Sequence, residues 1–270
     1  MGNNALFGRY WAADSIVHKL DPRTKIVGTI ALVAIIFCAG NFWALGFVAA
    51  IVIGLFALAR IPFTQALRSI APLAFIIVLT ALFNLLFVQG GDVYVDWGWL
   101  RISHDGAVLA LFTAVRLTLL LLSGSLLTLT TTTLDITEAF ERLLSPLRRI
   151  GVPAHEFALV MGIALRFVPQ FVDEFRTIRS AQLARGAKLA SSPTRNGLSG
   201  LTSLLVPLFA SAFRHADTLS AAMDARCYHG AAGRTRLHPL AFTRRDAWAA
   251  ALLVSTLAIT IGLTLSLAVQ

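Results

Sequence analysis

The sequence predicts an all-α membrane protein with about five transmembrane helices and a cytoplasmic module of amphipathic helices. Of its 270 residues, 57% are apolar and only 14% are charged, whereas soluble domains carry about 25% charged residues. The apolar residues fall into segments of about the 17–25 residues that cross a bilayer. One long stretch, residues 130–246, contains no clean apolar run of that length and is therefore predicted to lie outside the membrane.

The first two predicted spans, residues 26–39 and 42–59, form a tight hairpin because only two residues separate them. The first span should begin further back, near Pro22. Asp21 suits the N-cap of a helix, and proline suits the first helical position. Three further spans are predicted over residues 72–88, 107–128 and 247–269.

Basic residues determine the predicted orientation, since Lys and Arg remain on the cytoplasmic side of membrane proteins. Residues 130–246 hold 15 of the 23 Lys and Arg, whereas the 89–106 loop holds three Asp and one Arg. The N-terminus and residues 130–246 are thus predicted to be cytoplasmic. We divide the chain into a membrane bundle (1–129), the cytoplasmic module (130–246) and a C-terminal span (247–270). This asymmetry explains the net charge of +9, so nucleic acid is not a predicted partner.

Two segments of the cytoplasmic module, residues 157–178 and 201–223, each predict a long amphipathic helix. At 100° per residue, their apolar side chains share one face. Pro169 and Pro207 lie inside these helices and are expected to kink them. The two segments form a weak internal repeat of Val-Pro, an apolar stripe and then Ala-Arg. A short preceding helix and a break between the long helices are predicted at residues 135–144 and 191–200.

Each long helix is followed by an Ala-Arg pair, in "SAQLARGAK" (180–188) and in "AAMDARCY" (221–228). An Arg at a helix C-terminus complements the negative end of the helix dipole, which is a purely structural explanation. The alternative is a binding role, because small neighbours leave the guanidinium groups of Arg185 and Arg226 projecting from thin helix ends. Arg226 also falls on the apolar side of its helix wheel, where a guanidinium needs a partner.

Arg116 lies midway along the fourth predicted span. A charged residue at membrane depth is a candidate functional residue. The alternative is a hydrogen bond to polar neighbours such as Asn84, Ser123 or Ser125.

Motifs for catalysis are missing from the sequence. None of the three lysines follows a glycine, so there is no GxxxxGK[ST] phosphate loop, and the chain is not expected to hydrolyse ATP. HExxH, CxxC and GxSxG are also absent. Cys227 and His229 are too few donors for a metal site, and Cys38 is not expected to pair with Cys227. No catalytic residue, metal or cofactor is predicted.

Several motifs in a fixed order resemble the transmembrane T component (EcfT family) of energy-coupling factor (ECF) transporters, over about residues 8 to 246. They are "HKLDPRTK", a Thr-rich helix end followed by "LDITEAFERLLSPLRRIGVP", "ALRFVPQF", "AQLARGA" and "AAMDARCY". The resemblance implies a non-catalytic coupling subunit in a bacterial or archaeal plasma membrane. It also implies two ABC-type ATPase partners and a separate membrane S component that binds a vitamin or other micronutrient.

The resemblance further implies which residues contact the ATPases. These are the two Ala-Arg motifs, Ala184, Arg185 and Gly186 in the first and Ala225, Arg226 and Cys227 in the second; candidate supporting residues are Asp224, Arg214 and Arg116. The family pattern is Ala-Arg-Gly, and Cys227 departs from it. Glycine supplies left-handed geometry at low cost, whereas Cys is expected to remain helical or to turn without that geometry.

Two other function classes are weaker on the sequence. A self-contained secondary transporter needs ionisable groups at membrane depth, and Arg116 is the only clear one. An intramembrane enzyme needs clustered acids or histidines within the spans, and the predicted spans contain none.

Overall fold

The computed structural model describes residues 11, 13–90, 93–97, 100–144, 154–186, 195–228, 230 and 242–268. These ranges form nine α-helices and one small β-hairpin, so the predicted all-α membrane class is confirmed. Predicted features that lie outside them involve Arg9, Asp92, residues 145–153, Lys188, residues 191–194 and His229.

The elements follow the predicted spans closely. In chain order they are α1 (Pro22–Cys38), α2 (Phe42–Leu58), α3 (Phe63–Ile70), a 3-10 turn (Ala71–Leu73), α4 (Ala74–Phe87), β1 (Val93–Trp97), β2 (Leu100–Ser103), α5 (His104–Thr130), α6 (Thr133–Leu144), α7 (Ala154–Ala184), α8 (Arg195–Ala225) and α9 (Arg244–Ala268). The chain forms two compact units, Met1–Ala139 with Pro239–Gln270, and Phe140–His238. The first unit contains α1 to α5 and α9, and the second contains α7 and α8.

Within the described residues, three helical segments are long and apolar enough to cross a membrane. They are Phe63–Phe87, which joins α3, the 3-10 turn and α4, then His104–Thr130, and Arg244–Ser266 of α9. Helix α2 is a shorter apolar helix of 17 residues, and α1 has the same length. The N-cap prediction is confirmed, because the Asp21 side chain accepts the backbone N–H of Arg23 and Pro22 opens α1.

Three short elements differ from the predictions. The predicted loop before the third span contains α3, whose eight residues are too few for a reliable periodicity. The predicted break at 191–200 is wrong over Arg195–Gly200, which is already the start of α8. The predicted loop at 89–106 contains β1 and β2, an antiparallel pair in which Asp96 lies opposite Arg101.

The interior of the first unit is an apolar contact between α1, α2 and α5. Ile36, Val48 and Leu129 are fully buried in this core. The outer surface is also apolar: Trp43, Phe75, Phe87 and Trp248 each expose about three quarters of their surface. Exposed apolar area on this scale is unfavourable in water, and it is the expected surface of a helix bundle in lipid.

One buried carboxylate joins the starts of α1 and α9. Asp246 is 4% exposed, and its Oδ1 accepts the backbone N–H of Asp21 at 2.9 Å. Its Oδ2 accepts the backbone N–H of Thr243 at 2.8 Å and the Thr243 hydroxyl at 2.7 Å. Asp246 thus supplies the carboxylate half of a capping box at the start of α9, and the same carboxylate also binds the chain at the start of α1.

A lysine then connects this region to the end of α5. Lys25 Nζ donates to the carbonyl of Thr130 at 3.0 Å and to that of His18 at 2.9 Å. His18 Nδ1 lies 2.7 Å from the Ser15 hydroxyl, and its Nε2 lies 2.9 Å from the Trp11 carbonyl. Burial lowers the pKa of His18, so the neutral ring serves both partners. The "HKLDPRTK" segment thereby binds the starts of α1 and α9 and the end of α5 into one polar junction.

We expect Asp246→Ala to destabilise the first unit. The substitution leaves the N–H of the buried Asp21 without an acceptor and removes the acceptor of the Thr243 N–H, at a cost of about 2 kcal/mol. Thermal unfolding of the detergent-solubilised protein measures this as a lower transition temperature. Asp14→Ala is the matched control, because Asp14 is an exposed acid that pairs with Lys19 at the surface. Equal transition temperatures for the two variants would contradict the role of Asp246.

Candidate functional site at the ends of α7 and α8

The second unit is built on two long helices that pack against each other, α7 and α8. Each contains 31 residues. Pro169 and Pro207 lie inside them, and each proline removes one backbone hydrogen bond without ending its helix. The sequence motifs that follow the apolar stripes therefore lie at the C-terminal ends of two continuous helices.

The first helix end turns at a glycine. Helix α7 ends at Ala184, and Arg185 is the cap residue, whose N–H still donates to the Ala181 carbonyl at 3.1 Å. Gly186 takes the left-handed conformation, with φ +79, and its N–H donates to the Leu183 carbonyl at 3.0 Å. This is the glycine C-cap that the sequence predicts.

The second helix end has the same geometry with a cysteine in the glycine position. Cys227 has φ 52, so the expectation that it would avoid left-handed geometry is wrong. Its N–H donates to the Asp224 carbonyl at 2.9 Å, and the Tyr228 N–H donates to the Met223 carbonyl at 3.1 Å. These two bonds define a Schellman motif. They satisfy terminal carbonyls and so offset the roughly 1–2 kcal/mol cost of a left-handed non-glycine residue.

The predicted docking residues all project into the solvent. Ala184, Arg185 and Gly186 are exposed at the first end, and Ala225, Arg226 and Cys227 are exposed at the second. Arg226 lies at the exposed end of α8, so its guanidinium is not buried within the second unit. Within the described part of the chain, no carboxylate lies within ion-pair distance of Arg185 or Arg226. Both guanidinium groups are exposed to solvent.

Of the two candidate supporting residues on α8, Asp224 lies at the second end and Arg214 lies twelve residues before Arg226. Asp224 and Arg214 are exposed on α8. The Asp224 backbone carbonyl takes part in the Schellman motif, and its side chain remains at the surface. Sequence reasoning missed Met223 and Tyr228 as partners in that motif. The sequence signal that could have found them is a pair of hydrophobic residues on either side of the turn. In a Schellman motif, a residue after the turn commonly contacts one in the last turn of the helix.

Arg116 does not belong to these helix ends, since it lies on α5 in the first unit. Its Nη2 donates to the carbonyl of Ala39, the C-cap of α1, and its guanidinium lies 4.5 Å from the centre of the Phe112 ring. The predicted hydrogen-bond partners Asn84, Ser123 and Ser125 are not the ones used; the two serines donate to backbone carbonyls of α5. Arg116 thus satisfies a helix end by a charge-assisted hydrogen bond and a cation–π contact.

Metal binding finds no support in the described residues, which contain no group of three or more His, Cys, Asp or Glu side chains placed to hold an ion. Cys227 is a free, exposed thiol, and His229 lies outside the described residues.

The fold defines an α-helical membrane protein with a second unit of two long helices that end in exposed arginines. A family model described as "Cobalt transport protein" matches residues 13–238. With this match and the relatives below, the chain belongs to the EcfT family of energy-coupling factor transporter transmembrane proteins.

Several curated relatives are similar over nearly the whole chain, and each is called an energy-coupling factor transporter transmembrane protein EcfT. The protein from Brevibacillus brevis is 41% identical, over 91% of this chain and 93% of its own length. The Bacillus subtilis protein is 38% identical with the same coverage. The protein from Thermosediminibacter oceani is 43% identical, over 88% of this chain and 90% of its own length.

We expect Cys227→Gly to stabilise the end of α8 by about 1 kcal/mol, because glycine adopts the left-handed conformation without a Cβ clash. Cys227→Ala is the matched control, since it removes the thiol but keeps the Cβ. Hydrogen exchange of the Cys227 and Tyr228 amides measures the effect, with slower exchange expected for the glycine variant alone. Equal slowing in both variants would assign the effect to the thiol and contradict the backbone explanation.

Proposed function

We propose that this chain is the non-catalytic transmembrane coupling subunit of an ECF-type importer. It transmits the ATP-driven motion of two ABC-type ATPase subunits to a separate substrate-binding S component, for uptake of a vitamin or another micronutrient. The observation that carries the proposal is the pair of equivalent helix ends, each with an exposed arginine just before a left-handed residue. Two such ends match two ATPase partners.

The chemistry of each end suits docking into a groove. A helix C-terminus carries a partial negative charge, which the capping arginine offsets. The planar guanidinium presents a fork of N–H donors, which suits a carboxylate or a row of carbonyl oxygens in a partner. The left-handed residue at 186 or 227 turns the chain away directly after the arginine, so the helix end is narrow and accessible.

Apolar side chains on both helices provide a second surface. Several of them are more than a third exposed, including Phe157, Val160 and Val168 on α7 and Val206, Phe209 and Phe213 on α8. A contiguous exposed apolar surface marks a contact with a membrane or a protein partner. We assign it to the S component, which must receive the motion of α7 and α8.

Energy for transport must come from the partners, because the sequence has no phosphate loop. In this proposal ATP binding closes the ATPase pair, the docked ends of α7 and α8 move with it, and the S component reorients to release its cargo. The N-terminus and residues 130–246 then lie in the cytoplasm of a multi-pass plasma-membrane protein, in agreement with their excess of Lys and Arg.

The rival function, a self-contained secondary transporter, has weaker support. It requires ionisable groups that bind a substrate or a coupling ion at membrane depth. Arg116 is bound to the Ala39 carbonyl and covers the Phe112 ring, so it acts within the helix packing.

Purified chain in liposomes should therefore show no uptake without the ATPases, and uptake by the chain alone would favour the rival.

We expect the double variant Arg185→Glu with Arg226→Glu to lose the ATPase subunits during affinity purification of the complex. The reversed charges repel the acceptors that the arginines bind, while the membrane helices remain intact. Quantitative mass spectrometry of the affinity-purified sample measures the recovery of the ATPase subunits, which should fall by more than about tenfold. Arg179→Glu is the matched control, because it makes the same charge change on an exposed residue of α7 away from the helix end. Full ATPase recovery in the double variant would refute the docking assignment.

A further inference from the structure

A polar cluster joins α7 to α8 inside the second unit. The Ser211 hydroxyl donates to Oε1 of Glu174, and Nε2 of His215 lies 3.4 Å from Oε2 of the same carboxylate. Gln170 Nε2 lies 3.1 Å from His215 Nε2. Glu174 therefore accepts a hydrogen bond from α8 through Oε1, and its Oε2 lies within ion-pair distance of His215.

The surroundings of the cluster make its geometry specific. Ser211 is 4% exposed, and about a quarter of the Glu174 side chain is accessible. The His215 ring stacks on Phe167 and also contacts Phe171, with ring centres 5.9 Å apart in each case. A partly desolvated carboxylate is stable only with its hydrogen bonds made, so separating α7 from α8 at this level would leave Glu174 without partners.

The cluster is not a nucleophilic site. The Ser211 hydroxyl donates to the Glu174 carboxylate and not to the His215 ring, so the cluster lacks the Ser–His pair that activates a serine nucleophile. Its position in the sequence repeat indicates a different role. Glu174 lies eleven residues before Arg185, and His215 lies eleven residues before Arg226. The pair therefore joins equivalent positions of the two helices.

Each helix continues for the same distance beyond this pair. We call residues 174–184 and 215–225 the two arms; at a rise of 1.5 Å per residue, each extends about 15 Å to its arginine-bearing end. The connection thus lies at the common base of two arms of equal length. Because the arms are equally long, the same force on either end exerts the same torque at this base.

We propose that Glu174 is a positioning residue that fixes the two arms to each other, so that their arginine-bearing ends move as one body. The proposal deepens the proposed function, on which its transport role rests. When the ATPases close, a fixed base converts two separate displacements into one movement of the second unit. Without it, each arm would follow its own ATPase, and little of the motion would reach the S component.

Spin-label distances test this inference directly. Ser180→Cys and Ala221→Cys place labels at exposed positions six residues beyond Glu174 and His215, in a background with Cys38→Ser and with Cys227→Gly, which keeps the left-handed geometry of the second helix end. We expect one narrow distance distribution in this chain and, with Glu174→Ala, a distribution about twofold broader. Asp173→Ala is the matched control, because Asp173 is an exposed acid on the same turn and pairs only with Arg176 in the described part of the chain; its distribution should stay narrow.

Conservative variants separate positioning from general loss of structure. Glu174→Gln keeps an acceptor for the Ser211 hydroxyl, so it should restore most of the narrow distribution, while Ser211→Ala should broaden it. An unchanged width in Glu174→Ala overturns the proposal. Equal broadening in Glu174→Ala, Glu174→Gln and Asp173→Ala also overturns it, because the effect would then follow the lost charge and not the hydrogen bond.

The same labels in the complex with the ATPases test the functional part, with ATP and vanadate as the probe. When ATP and vanadate trap the ATPases, we expect the distance between the labels to shift as one population. In the Glu174→Ala chain the distance distribution should be about twofold wider, with equal recovery of the ATPases. Loss of the ATPases with Glu174→Ala but not with Asp173→Ala would place Glu174 in the docking surface and overturn its positioning role. Failure of the unaltered chain to bind ATPases would refute the proposed function alone, since the measurement on the isolated chain still tests the connection.

Discussion

The buried carboxylate of Asp246 is the interaction on which the membrane unit depends. It caps α9 and at the same time accepts the backbone N–H of Asp21, 225 residues earlier in the chain. Lys25, one turn into α1, then reaches the carbonyl that ends α5. Helix ends near a bilayer must satisfy their backbone groups within the protein, and this junction does so for three helices together. The helices that enclose the core are therefore held at one end by side chains from a single short segment and one distant aspartate.

The second unit is stabilised in a different way. Helices α7 and α8 pack on each other, and a small polar cluster joins them at the base of their arms. Their terminal carbonyls are satisfied by backbone hydrogen bonds, while the side chains of Arg185 and Arg226 are exposed. In the proposed function, these exposed ends are the part of the chain that other subunits contact.

Much of the fold was predictable because its signals are local. The Asp21-Pro22 pair and the apolar lengths place α1, α5 and α9 to within a few residues, and the Ala-Arg motifs lie at helix ends as expected. The short α3 and the β1–β2 hairpin were missed, because eight residues or fewer give little periodicity. The hydrogen bond between Asp21 and Asp246 joins residues 225 positions apart, so no local sequence pattern predicts it. Cys227 was misjudged because hydrogen bonds to Met223 and Asp224, and not the intrinsic preference of the residue, determine its backbone conformation.

The left-handed cysteine has a practical consequence. Cys227 is an exposed thiol next to a proposed docking arginine, and the chain's other cysteine, Cys38, is exposed at the opposite end of α1 from the polar junction. A water-soluble maleimide supplied from only one side of sealed vesicles would report which face of the membrane each thiol occupies. The natural sequence thus carries its own pair of topology reporters. One of them is placed so that an attached fluorophore would respond when a neighbouring subunit covers the end of α8.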